Sequence, residues 1–112
     1  MGMKVIDWNI QALTGYEPKT TFYTDFSIAD RFGLSGIKDT FKRAFKSWKN
    51  DYVYLTELCM VLNWKLWEHY EYGDSYHQQI AKLYESLWNE VQEYCENHLK
   101  GDELDYFLAT TD

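Results

Sequence analysis

The sequence predicts an all-α protein: a small helical bundle around one central buried helix at residues 52–70, preceded by a short extended or hairpin N-terminal arm. Three observations carry this. The run Tyr52–Tyr70, YVYLTELCMVLNWKLWEHY, places apolar side chains on every side of a helical wheel, the pattern of a helix enclosed by its surroundings. Two flanking segments, 36–48 and 76–99, repeat apolar residues at helical spacing with polar residues opposite. Glycines punctuate the chain at Gly33, Gly73 and Gly101, the last two each followed by an aspartate, which suits a helix stop and the next helix start.

The central run is not a membrane span. Glu57, Asn63 and Lys65 interrupt it, and a span needs roughly 20 clean apolar residues. The N-terminus MGMKVIDWNIQ has no apolar core of the kind that marks an export signal, so a cytoplasmic location is expected. The chain of 112 residues fits one domain, read as an arm at 1–24 and a helical body at 25–112. Cys59 and Cys95 are then free core thiols.

The elements follow in order. Residues 1–24 carry no helical period, and turn chemistry around Gly15 and Pro18 precedes a β-prone run. Trp8, Tyr16, Phe22 and Tyr23 are the anchors of this arm. Asp25 or Ser27 caps a short helix, IADRF, which Gly33 ends. Ser35 caps the next helix, whose apolar face is Ile37, Phe41, Ala44, Phe45 and Trp48. KND at 49–51 breaks the chain before the central helix. In the helix after Asp74, Tyr76, Ile80, Leu83, Tyr84, Leu87, Trp88, Val91, Tyr94, Cys95, His98 and Leu99 form the inward face. A last short helix turns Leu104, Phe107 and Leu108 inward. Short turns between long helices favour antiparallel neighbours.

Charge is divided unevenly. Residues 1–50 hold five acids and eight bases, net +3, and residues 51–112 hold thirteen acids and three bases, net −10. The bases concentrate on one helix face as Lys38, Lys42, Arg43, Lys46 and Lys49, the candidate contact for nucleic acid or an acidic partner. The acids include Glu85, Glu90, Glu93, Glu96, Asp102, Glu103 and Asp105, a set that could present a field like that of a phosphate backbone.

Aromatic residues make up 19% of the chain. In NWKLWEHYEY, residues 63–72, the rings cannot all face one small core. Trp64, Trp67, Tyr70 and Tyr72 are therefore the aromatic interface candidates. No catalytic, cofactor or metal site is expected. His69, His77 and His98 are scattered, no Cys-x2-Cys or His-x3-His spacing occurs, and there is no glycine-rich phosphate loop. Cys95 and His98 are three apart but both fall on the apolar face. His69 reads as a helix-end residue.

Residues 28–45, IADRFGLSGIKDTFKRAF, resemble a bacterial helix-turn-helix. Ala29 stands at the small position, Gly33 in the turn, Leu34 after it, and Ser35 opens the second helix. The pattern departs at Asp39, where an apolar residue would lock the two helices together. The resemblance implies DNA contact by the basic second helix. Over residues 25–112, from DFSIADRFGLSG to KGDELDYFLATTD, the chain is similar to small uncharacterised proteins of bacterial mobile elements. That implies a cytoplasmic accessory protein, and no catalytic or binding residue. The expectation is a non-enzymatic protein–protein interaction module that self-associates. The alternatives are nucleic-acid binding by helix 36–49, and acidic mimicry of nucleic acid.

Overall fold

The computed structural model describes residues 16–111. Its helices are α1 (Phe22–Ala29), continued by a 3-10 turn (Asp30–Phe32), α2 (Gly33–Trp48), α3 (Tyr52–Tyr70), α4 (Ser75–His98) and α5 (Asp102–Thr111). α3 is the centre: α1, α2, α4 and α5 all pack on it, and its hairpin with α4 is the most extensive contact. Leu55, Leu58, Val61, Leu62 and Leu66 of α3 meet Phe26, Ile37, Phe41, Ile80, Tyr84, Val91 and Phe107 in one core. The all-α bundle around residues 52–70 is thus the observed architecture. Residues 16–21 are irregular rather than stranded. The rest of the proposed arm, with Trp8, lies outside the described residues.

Two charged residues of α3 organise the chain before α2. Glu57 is 1% exposed and forms no ion pair with a described residue. Its carboxylate instead accepts four hydrogen bonds: Tyr16 Oη at 2.8 Å, the Lys19 and Thr20 backbone N–H groups at 2.7 and 2.8 Å, and the Thr20 hydroxyl. A buried charge persists only where its lone pairs are satisfied, and among the described residues the donors come from residues 16–20. The same bond, with burial ahead of it, pushes the Tyr16 phenol well above its usual range.

Eight residues on, Lys65 is also 1% exposed. Its ammonium has three protons and three oxygen partners: Asp30 Oδ2 at 2.7 Å, Glu68 Oε1 at 3.0 Å and Ser27 Oγ at 3.2 Å. The Tyr23 ring lies 5.0 Å away, and its hydroxyl donates to Glu68. Asp30 also accepts from His69 Nε2 at 2.9 Å and from the Tyr84 hydroxyl at 2.5 Å. One carboxylate therefore ties the 3-10 turn to α3 and α4. Burial pushes the Asp30 carboxyl up, but the bonds from His69, Lys65 and Tyr84 outweigh it and hold it below the usual carboxylate value.

These contacts explain several differences from the sequence expectation. α1 begins at Phe22, ahead of Asp25 and Ser27, because Glu57 fixes residues 19–20 and the Thr20 hydroxyl accepts the Phe22 N–H at 3.2 Å. Ser27 is not a cap but a partner of Lys65. α2 begins at Gly33 with no side-chain cap, so Ser35 does not act as one. Gly33 has φ 73° and ψ −160°, a region open in practice only to glycine. Asp51 caps α3 by accepting from Val53 and Tyr54 N–H at 3.1 and 3.3 Å. His69 is buried within the core rather than at a loose helix end. Trp48, Tyr76, His98 and Leu108, all expected inward, are exposed. Each sits in the first or last turns of its helix, where the neighbouring helix no longer covers it.

Two changes test this packing. A Cβ added to Gly36 would stand 2.6 Å from Phe32 Cβ and 3.0 Å from the Ala29 carbonyl oxygen. Gly36→Ala should therefore lower stability by about 1–3 kcal/mol in urea denaturation. Asp30→Asn should lower it by about 3 kcal/mol at pH 7. Because the folded carboxyl is depressed, its contribution is present above the unfolded pKa and is lost as pH falls through the folded one. The gap between Asp30→Asn and the parent should accordingly close in urea titrations as the pH falls below about 4.

Candidate interaction surface

The α3–α4 turn is a firmly built tip that carries exposed rings. Gly73, at φ 74°, takes the left-handed conformation that ends α3. Asp74 then caps α4, accepting the His77 N–H at 2.8 Å and pairing with His77 Nδ1 at 2.7 Å. The backbone bond first, and the imidazole second, hold the Asp74 carboxyl below its ordinary value. His77 is the third ring of a stack that runs outward from the core. Tyr84 lies 5.6 Å from His69, His69 lies 5.4 Å from His77, and His77 lies 4.2 Å from Tyr72, with interplanar angles of 16°, 24° and 23°. In His69 the Nε2 proton goes to Asp30, and the buried Nδ1 has no hydrogen-bond partner among the described residues.

Around this stack the tip exposes Trp67 (57%), Tyr70 (59%), Tyr72 (65%) and Tyr76 (54%). Trp67 and Tyr70 touch each other, with centroids 5.6 Å apart. They are also the only two residues of α3 that are exposed. The other sectors of this helix are used up in packing, so the one sector left to water ends in a tryptophan and a tyrosine.

Of the four aromatic residues singled out from the sequence, three therefore share the tip. The structure does not bring Trp64 to it. Trp64 is half-buried, its ring edge-on to Tyr16 at 6.0 Å, and it lines a separate cavity of about 220 Å³ with Cys59 and Trp88. Tyr76 joins the tip instead. Its spacing fits the inward face of α4, but it stands one turn before the first buried position, Ile80. That end effect was the signal to read.

Lys38, Lys42, Arg43, Lys46 and Lys49 all lie exposed on α2. None makes an ion pair with a described residue; Arg43 reaches only Thr40 Oγ1, at 3.3 Å. The acids Glu85, Glu90, Glu93, Glu96, Asp102, Glu103 and Asp105 are likewise exposed and without ion pairs among the described residues. Among the described residues the α2 cations and these carboxylates thus form no ion pairs with each other.

Beside the basic face runs a groove of about 640 Å³ between α1 and α2, walled by Ile28, Phe32 and Trp48, with Asp39 and Arg43 along it. Asp39 lines this open groove, and Leu34 is exposed. The apolar lock of a helix-turn-helix is not made at these two positions.

Both thiols are free and buried. Burial first, and then the proximity of Cys95, pushes Cys59 up to about 12, and burial pushes Cys95 up to about 12. A thiol so raised is a poor nucleophile at neutral pH. Cys95 and His98 do not share an environment: Cys95 is buried, whereas His98, in the last turn, is exposed and stacks on Tyr94 at 4.0 Å. Among the described residues no group of three or more His, Cys, Asp or Glu is placed to hold a metal ion, and no helix is long and apolar enough to cross a membrane. The described surface presents an aromatic tip, a cationic face and an anionic face. No family model, curated protein or solved structure matches the chain, and the functional reading rests on these surfaces.

Proposed function

We propose that this protein is a non-enzymatic interaction module that self-associates through the aromatic tip of the α3–α4 hairpin. The observation that carries the reading is that Trp67 and Tyr70 are the two most exposed residues of the central helix. A surface position on a buried helix costs least when filled by a charged or polar side chain. Two large rings there, continued by Tyr72 and Tyr76, leave apolar area in water. Tryptophan and tyrosine dominate interface hot spots because each covers a large area with few rotors to immobilise. A two-fold dimer would bring the same patch of both copies together. In this reading the chain works in the cytoplasm as an accessory protein, as the resemblance of residues 25–112 implies.

A second reading is nucleic-acid backbone binding by α2, favoured by its five exposed cations, none of them in an ion pair with a described residue. Retention of a labelled duplex that falls steeply with salt, regardless of base sequence, would support it.

The first reading is tested by sedimentation equilibrium over a range of concentrations. The parent chain should gain mass toward a dimer. Trp67→Ser/Tyr70→Ser should associate at least about tenfold more weakly, because it removes two central anchors, while its circular dichroism stays unchanged. A parent chain that remains monomeric throughout would refute the proposal.

A further inference from the structure

We infer that the basic face of α2 docks along the acidic face of α4 in a second copy of this chain. The inference rests on the self-association proposed above and assigns it a second surface. Lys38, Lys46 and Lys49 stand at offsets of 0, 8 and 11 residues along α2, and Glu85, Glu93 and Glu96 stand at the same offsets along α4. At the helical rise each ladder is about 16 Å long. The rungs coincide when the two helices run parallel, and Lys42 then faces Asn89. Like rungs would repel, so the match selects α4 of another copy over a second α2.

All six rungs are exposed, and none forms an ion pair with a described residue of its own chain. In a reciprocal dimer each copy contributes one ladder of each sign. Two helix faces are thereby covered per copy, which a single ladder could not do. A duplex is the poorer occupant of the basic face. The chain carries a net charge of −7, and Asp39 stands exposed within the basic stretch.

The experiment is a charge exchange. One variant carries Lys38→Glu, Lys46→Glu and Lys49→Glu; the other carries Glu85→Lys, Glu93→Lys and Glu96→Lys. Every site is exposed, so folding is preserved, and circular dichroism verifies it. Each variant alone should lose association by about tenfold or more, since like charges then face each other. An equimolar mixture should recover it as a one-to-one heterodimer, because the acidic α2 of one variant then meets the basic α4 of the other. Association of the parent chain should weaken as salt rises.

The inference falls if the mixture fails to recover, or if both variants associate like the parent. Should both do so while Trp67→Ser/Tyr70→Ser does not, the ladder is wrong and the aromatic tip stands. A parent chain that is monomeric at low salt removes both. If the mixture stays monomeric and the lysine variant instead loses retention of a labelled duplex, the basic face belongs to nucleic acid and the inference is overturned.

Discussion

The fold depends on two charges buried on one face of its central helix. Glu57 and Lys65 lie eight residues apart on α3, and an unpartnered charge at either place would cost more than a small bundle can supply. Each takes partners from the chain before α2. Glu57 takes donors from Tyr16, Lys19 and Thr20, and Lys65 is met by Ser27 and Asp30. Residues 16–32 therefore have no freedom to lie elsewhere. Apolar contacts such as those of Phe22 and Phe26 favour burial but tolerate sliding; hydrogen bonds to a buried carboxylate and ammonium do not. The position of α1, and with it one wall of the groove along α2, follows from this pairing.

The same helix explains why the tip is aromatic and exposed. α3 receives α1, α2, α4 and α5 around its circumference, so little of its surface is left for water. What remains lies at its C-terminal end, beyond the reach of the shorter helices. The link to α4 is held by Gly73, the Asp74 cap and the Tyr84–His69–His77–Tyr72 stack. A rigid support under exposed rings lowers the entropy lost when a partner covers them.

Much of this was legible in the residues, and the reason differs from element to element. α3 was visible because an all-round apolar helix has few other places to be. α4 and its start were visible because Gly73 and Asp74 each do a task that few other residues do as well. The basic stripe on α2 could be read because helical spacing alone puts Lys38, Lys42, Lys46 and Lys49 together. What escaped was the inward pairing of Glu57, Lys65 and His69. Taken as interruptions of an apolar run, they look like concessions to solvent. Their spacing of eight and then four residues marks one helical face, and on a buried helix a polar face must find partners. The partners themselves, Thr20, Ser27 and Asp30, were hidden because nothing local distinguishes them from ordinary loop and cap residues. Periodicity also overcounts at helix ends: Trp48, Tyr76, His98 and Leu108 keep the apolar phase but pass beyond their neighbours.

The charges of this chain fall into two populations that differ in how they are completed. Asp30, Glu57 and Lys65 are enclosed and carry full sets of partners within the fold. The cations of α2 and the carboxylates of α4 are exposed and segregated by sign. Mixing the signs on each face would have shielded them locally at no cost to the core, since none of these residues packs inside. Segregation instead leaves a dipolar surface whose field extends about a Debye length into solvent, roughly 8 Å at physiological ionic strength. Such a surface contributes little to the stability of one molecule. In the self-association proposed above, its effect would be on how a second copy approaches and in which register it comes to rest.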